Sequence, residues 1–495
     1  MQNLYLAKDV RTLDQVIIND YHVPGYVLME RAGEAAFEIL RAQWPSAKQL
    51  VVICGCGNNA GDGFVVARLA HKFGYNVRLL SLVGLDKLHG DALTAARAAT
   101  EAGVNMQGDV AGVDAAFLQL CDVIIDGIFG TGLDREVEGR WRETIEAMNA
   151  SGRPVLALDI PSGLSADTGC AQGVAVEAMH TVSFIGLKQG LFTGQGRHYC
   201  GEVHFADLDA PHDAYESVAP ASRLVCYQDI AKPIFSPRSA SAHKGQHGHV
   251  LLIGGDEGMS GAMCLAGEAA LRSGAGLVSI ATRRQHAALL SAQRPELMSH
   301  GVESIDELKP LLDKASVVAI GPGLGQSDWA KQMLQAALDT NKPLVVDADG
   351  LNLLAQENHV RDQWILTPHP GEAARLLNTT VKKVEQDRFA AVRALQQRFA
   401  AIVVLKGAGS LLCYDSTQAV EVCADGNSGM AVGGMGDVLT GVIASIIAQG
   451  VRLELAVSVG VCLHSAAADR AAQKTPRGML PSDLLPHLRK LVNFV

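Results

Sequence analysis

Gly433-Gly434-Met435-Gly436-Asp437 sets a carboxylate just behind a glycine-rich turn and directly before the apolar run 438–448. Glycine lets backbone N–H groups come close to a phosphate, and a helix that follows points its positive end at the anion. A carboxylate there opposes the charge of the phosphate unless it has chemistry to do, such as taking a proton from a hydroxyl that attacks phosphorus. Alone, Asp437 would read as a helix cap. It has company: Gly258-Met259-Ser260-Gly261-Ala262, Gly321-Pro322-Gly323-Leu324-Gly325, Asp347-Ala348-Asp349-Gly350, Thr367-Pro368-His369-Pro370-Gly371-Glu372 and Leu405-Lys406-Gly407-Ala408-Gly409-Ser410. Any one is an ordinary βα turn; several together read as parts of a nucleotide site. His243, His247 and His249 lack Cys or acid partners in register and read as incidental.

A second constellation lies earlier. Gly55-Cys56-Gly57-Asn58-Asn59-Ala60-Gly61-Asp62-Gly63 contains a GxGxxA pattern between an apolar run and a helical pattern. The place suits a dinucleotide pyrophosphate, but no clean acid follows about 20 residues on to hold a ribose. The bland reading is a tight turn ending in an Asp N-cap. Asp126-Gly127-Ile128-Phe129-Gly130-Thr131-Gly132 and Asp159-Ile160-Pro161-Ser162-Gly163 end two further runs. In a parallel sheet such strand ends converge on one crevice. Asn59, Asp126 and Ser162 would offer it hard oxygen ligands, suited to a Group I or II cation. Gly130 and Gly132 would let backbone amides cradle a phosphate. Lys188 adds a positive charge, or is simply a solvated surface lysine.

The elements that must position these residues follow from patterning. At 495 residues, two or three domains are expected. Apolar residues make up 48%, aromatics only 5%, and 51 positions are glycine, which is α/β composition. From 50 to about 207, strand-like runs (50–54, 77–83, 122–129, 154–160, 181–185) alternate with helical patterns (62–73, 91–101, 141–149), predicting a doubly wound parallel sheet. Residues 12–44 read as helical, interrupted at Pro24-Gly25. Prolines and small residues over 209–245 mark a boundary, giving a domain 1–215, a linker 216–240 and a domain 241–495. The second domain restarts with strands at 249–254, 277–281, 317–320, 343–347, 364–367 and 402–406. Helices are predicted at 261–273, 327–337, 371–377, 384–399, 438–449 and 455–472.

A net charge of −10 argues against a nucleic-acid or anionic-membrane surface. Ten scattered cysteines without a CxxC pair argue against a zinc knuckle or redox dithiol, and reduced thiols fit the cytosol. Residues 1–15 lack an apolar signal core, and no run reaches membrane-spanning length.

With NNAGDG, DGxxGTG and DIPSG in order, followed by the terminal GMGD, nearly the whole chain resembles the bifunctional NAD(P)H-hydrate repair enzymes. The resemblance implies an N-terminal Rossmann-like epimerase domain and a C-terminal ribokinase-like dehydratase domain, cytoplasmic and homo-oligomeric, acting on small molecules: hydrated NADH, hydrated NADPH and ADP. It implies that Asn58, Asn59, Ala60, Gly61, Asp62, Gly130, Thr131, Gly132, Leu133, Asp134, Arg135, Glu136 and Asp159 contact the hydrated coenzyme, and that Asn59, Asp126 and Ser162 bind potassium. In the second domain Ala262, Gly323, His369 and Asp437 would contact the hydrate, while Lys406, Gly407, Ala408, Gly409, Ser410 and Gly436 would hold the adenine nucleotide. The HPGE segment departs from the Asn-x-x-Glu of related sugar kinases, with Glu372 as the residue organising magnesium. Asp159 and Asp437 are the expected catalytic groups. A ribokinase-class kinase fused to a nucleotide-binding regulatory domain is the alternative, because it shares the GxGD first step.

Overall fold

The computed structural model describes residues 2–493 apart from Asp134, Asn358 and Lys474. It contains two compact units, one spanning Asn3–Ser222 and the other built from Arg223 onward. The division falls inside the segment 216–240, which carries its own structure. Tyr227 is buried; its hydroxyl donates to the Leu491 carbonyl at 2.7 Å and its N–H to Asp425 Oδ2 at 3.1 Å.

The first unit is built on seven strands: β1 (Gln49–Cys54), β2 (Asn76–Ser81), β3 (Asn105–Gln107), β4 (Val123–Gly127), β5 (Val155–Leu158), β6 (His180–Phe184) and β7 (Glu202–Ala206). They run in the order β3-β2-β1-β4-β5-β6-β7, every pairing parallel. Both faces are covered, so the central strands are near-continuous apolar runs. Val52, Ile125 and Leu156 face one core; Val51, Ile53 and Ile124 face the other. The strand order reverses between β1 and β4, where doubly wound sheets open a ligand crevice.

Helices Ala7–Asn19 and Gly25–Gln43 flank the Pro24 break. The helix after β1 begins at Asn58, four residues before the expected start, with Gly57 as its cap and Ala60 and Gly61 donating back to the Gly57 carbonyl. Asn58–Asp62 are therefore its first turns and not a bare loop. Asn and Gly are weak helix formers, so composition hid this start. Packing requires the small residues: a Cβ on Gly63 would lie 2.7 Å from Cys54 Sγ.

In the second unit the strands that position the site are β8 (His249–Ile253), β9 (Leu277–Thr282), β10 (Met298–Gly301), β11 (Val317–Ile320), β12 (Leu344–Val346), β13 (Trp364–Leu366), β14 (Ile402–Leu405), β15 (Ser410–Cys413) and β16 (Val420–Cys423). Their order is β10-β9-β8-β11-β12-β13-β14-β15-β16, parallel through β14 and antiparallel across β14-β15 and β15-β16. Helices Ser260–Arg272, Met435–Ala448 and Leu453–Ala472 pack through small and branched residues, including Ala266, Val438, Val442 and Ala467. The helical pattern expected at 384–399 is broken at Asp387, which ends Val381–Gln386 and caps Arg388–Phe399 by accepting from Ala390 N at 2.9 Å. All ten cysteines are free thiols. Among the described residues no helix is long and apolar enough to cross a membrane.

Candidate active sites

The ends of β1, β4 and β5 line a cleft of about 510 Å³ in the first unit. Asn58, Asn59, Asp62, Gly130, Thr131, Gly132, Leu133, Arg135 and Asp159 all border it. Ala60 and Gly61 are buried in the helix behind, Glu136 packs instead against Gly173, and Asp134 lies outside the described residues.

Under the cleft floor, Asp126 is fully buried and accepts from Ser162 N at 2.8 Å, Ser162 Oγ at 2.6 Å and Ile128 N at 3.2 Å. Burial pushes its carboxyl up to about 6, against the pull of those hydrogen bonds. Ser162 Oγ in turn accepts from Phe129 N at 2.8 Å, and Asn59 Nδ2 donates to the Phe129 carbonyl at 2.8 Å. That leaves Asn59 Oδ1 buried without a donor. A buried amide oxygen lacking a partner, beside a buried carboxylate and a hydroxyl, fits a hard cation.

Asp159 has φ of +63°, unusual for a side-chain-bearing residue, and turns its carboxylate into the cleft. Oδ1 is ion-paired with Lys188 Nζ and accepts from Phe184 N at 3.2 Å. Lys188 is not on the surface: it is fully buried and also donates to the Phe184 carbonyl at 3.0 Å and Ser183 Oγ at 3.2 Å. Two more carboxyls share this field. Burial, reinforced by Asp159 and Asp14, drives Asp62 well above the ordinary carboxylate range. Asp14 is pushed up to about 6, chiefly by burial, with Lys188 lowering it and Asp159 raising it.

In the second unit Asp347 ends β12, fully buried, with Oδ1 accepting from Lys406 Nζ at 2.6 Å and Oδ2 from Thr440 Oγ1 at 2.9 Å. Burial alone would raise its pKa, but the Lys406 charge and these hydrogen bonds outweigh it and hold the carboxyl below its ordinary value. Glu372 Oε2 stands 3.8 Å from the same ammonium and accepts from His369 N at 2.7 Å; burial pushes it up to about 7. Burial and Lys406 both lower the His369 pKa, so its ring, 3.4 Å from Glu372 Oε1, stays neutral.

Helix Met435–Ala448 starts beside this cluster, capped by Gly434 at φ +96°. A Cβ on Gly436 would lie 3.2 Å from both Asp347 Oδ2 and Lys406 Nζ. Asp437 follows, pushed up to about 6 by burial, then by Asp347, with Lys406 opposing. The loop 406–410 is tied from behind: Arg388 is buried, and its guanidinium donates to the Leu405 and Lys406 carbonyls at 3.3 and 3.2 Å. Gly407 rests on that guanidinium at φ +145°. Gly323, at φ +58°, brings its Cα beside Ala262; a Cβ there would sit 3.3 Å from the Ala262 methyl.

Residues 25–190 match the family described as "YjeF-related protein N-terminus", and residues 250–490 match "NAD(P)H-hydrate dehydratase". The chain is 47% identical over 494 residues to the "Bifunctional NAD(P)H-hydrate repair enzyme Nnr" of Coxiella burnetii, covering 100% of each. It belongs to the bifunctional NAD(P)H-hydrate repair enzymes. The Escherichia coli relative of the same name is 41% identical over 99% of this chain and 94% of its own. A solved ribokinase-like superfamily protein from Enterococcus faecalis is 29% identical with a TM-score of 0.50, covering 55% of this chain and 96% of that one. The two activities of the repair enzymes divide accordingly: epimerase in the first unit, dehydratase in the second.

Three residues of these repair-enzyme sites carry no local signal. Asp14 sits in a plain amphipathic helix and reaches the cleft only through the fold. Arg388 reads as one more charged residue of a surface helix. His464, buried in Leu453–Ala472 with Nε2 unpartnered, is pushed down to about 4 by burial, with a hydrogen bond to the Met435 backbone raising it and Lys406 lowering it. His249 pairs with Ser279 Oγ at 2.9 Å.

Proposed function

We propose that the second unit dehydrates the hydrate by phosphorylating it, with ADP as phosphoryl donor. The observation that carries this is the approach of Gly436 to the Asp347–Lys406 pair, which sets Asp437 at a helix start beside the one ammonium of the cluster. Asp437 takes the proton of the C6 hydroxyl, and that oxygen bonds to the terminal phosphorus as the bond to the bridging oxygen breaks, releasing AMP. Hydroxide is a poor leaving group and phosphate a good one. The ring nitrogen's lone pair then expels phosphate, and loss of a neighbouring ring proton restores the dihydropyridine. Lys406 and the amides of loop 406–410, with that of Gly436, hold the nucleotide phosphates. Glu372 would hold magnesium, which when bound offsets the phosphate charge.

In the first unit Asp159 acts as acid and base at C6. It protonates the departing hydroxyl, the nitrogen lone pair gives a planar cation, and water re-adds on either face while returning the proton. Asp62 and Asp14, which hold protons to higher pH, keep a proton source in the cleft. Asn59, Asp126 and Ser162 would hold potassium, which supplies fixed positive charge beneath the bound phosphates.

The test is incubation with hydrate, ADP and magnesium, following dihydronicotinamide absorbance and the nucleotide and phosphate released. Recovery of NAD(P)H with AMP and free phosphate is expected. A stable phosphorylated hydrate would instead make the second unit a kinase.

A further inference from the structure

Among the described residues one group of three side chains has metal-ligand spacing, and none of its members belongs to either site. His180 opens β6 and Glu202 opens β7, directly opposite it in register; His204 lies two residues on, opposite Val182. Strand alternation puts all three on one face of the sheet. His180 Nδ1 is 2.9 Å from His204 Nε2 and 3.7 Å from Glu202 Oε2, and the three donor atoms lie within 4.8 Å of one another. This is the N-terminal edge of the parallel strands, whereas the coenzyme cleft lies at their C-terminal edge, and none of the three borders it.

A proton-sharing histidine pair would explain the 2.9 Å separation alone. The third donor is what that reading leaves over. Two imidazole nitrogens on a tetrahedral ion with bonds of about 2.0–2.1 Å stand about 3.3 Å apart, so a small ring rotation makes room for an ion. The Trp44 ring meets His180 edge-on at 5.1 Å and fixes its plane. Glu202 is exposed, leaving a fourth position for water.

We propose that His180, Glu202 and His204 bind a divalent transition ion of the zinc class, pinning edge strand β7 to β6. Two imidazoles and one carboxylate suit zinc, cobalt, nickel or copper(II), in contrast to the all-oxygen set at Asn59. An ion bound only by the native state raises stability.

Metal-free full-length protein is titrated with cobalt(II), followed by its visible absorption and by quenching of Trp44 fluorescence, then back-titrated with zinc. One equivalent of four-coordinate cobalt without thiolate charge-transfer absorption is expected, displaced by zinc, with a zinc-dependent rise in Tm. His204→Ala, at a half-exposed position, should weaken binding by roughly 100-fold or more and abolish the Tm rise, while epimerase and dehydratase rates measured with potassium and magnesium but no transition ion stay at wild-type values. Because His180 is buried, Glu202→Gln serves as the second variant and should weaken binding without altering the fold. Wild-type affinity in His204→Ala, or no saturable cobalt binding in the native chain, would overturn the proposal.

Discussion

Asp437 differs from the other acids around it in what it is free to do. Asp347 is committed to Lys406 and Thr440, and Glu372 to its own helix cap, with Lys406 close by. Asp437, with its pKa near 6 and its place in the first turn of a helix, is ionised at neutral pH yet basic enough to accept a proton. Asp437→Ala should lower dehydration by about 10²–10⁴-fold and leave epimerisation at the wild-type rate, measured by exchange between R and S hydrates. A base must be unprotonated, so wild-type dehydration should fall as pH drops through about 6. Loss of both activities in Asp437→Ala would contradict separate sites.

At the level of elements, the strand ends hold the dehydratase cluster in register. Gly321, at φ +127°, lets β11 end directly against the carbonyl of Asp347, which a Cβ would overlap. Gly321→Ala should therefore displace Asp347, destabilising the second unit by at least about 1–3 kcal/mol from backbone strain alone. Urea unfolding and dehydration would both register this, while R/S exchange persists. Which elements the sequence discloses follows from burial. β1, β4, β8 and β11 are covered on both faces and appear as near-continuous apolar runs. β10 (Met298–Gly301) is half-exposed at the sheet edge and reads as nothing in particular. The antiparallel β15 and β16 follow a glycine turn that reads simply as a phosphate loop. Motifs placed Asn59, Asp126, Asp159, Lys406 and Asp437 because each ends a strand or opens a helix, where glycine and acids stand out. Asp14 and Arg388 come from helix interiors distant in sequence, and only tertiary packing gives them a role. Lys188 shows the limit of residue type: its sequence allows a site charge or a solvated surface lysine, and the fold buries it in an ion pair with Asp159.

Across the whole molecule, buried acids with raised pKa values and histidines with lowered ones pull stability in opposite directions as pH changes. Asp14, Asp126 and Asp437 titrate at about 6 and Glu372 at about 7, above the ordinary range near 4. Between roughly pH 4.5 and 7 these four acids hold more protons in the native chain than in the unfolded one, so the stability they contribute is greatest at the low end and is lost as pH rises through their native values. The histidines held below their ordinary value, His464 at about 4 among them, contribute in the opposite sense, and their share is lost as pH falls. Asp347, shifted downward, acts below that window. In buffer freed of potassium and magnesium, replacing one such acid by its amide, Asp126→Asn, should therefore make the change in Tm from pH 5 to pH 7.5 more positive than in the native chain, and adding potassium at pH 7.5 should raise the Tm of the native chain. An Asp126→Asn chain whose Tm follows the native pH profile would contradict the assignment of that buried carboxyl. The lone carbonyl oxygen of Asn59 extends the same reasoning to physiology. With potassium at the site proposed for Asn59, Asp126 and Ser162, an organism that swaps internal potassium for sodium under osmotic stress would slow stereochemical scrambling while the nucleotide-driven step ran on. On the S-selective dehydration that the resemblance implies, the R epimer of its damaged coenzyme would then accumulate, a metabolic trace of ionic imbalance written by a single side-chain amide.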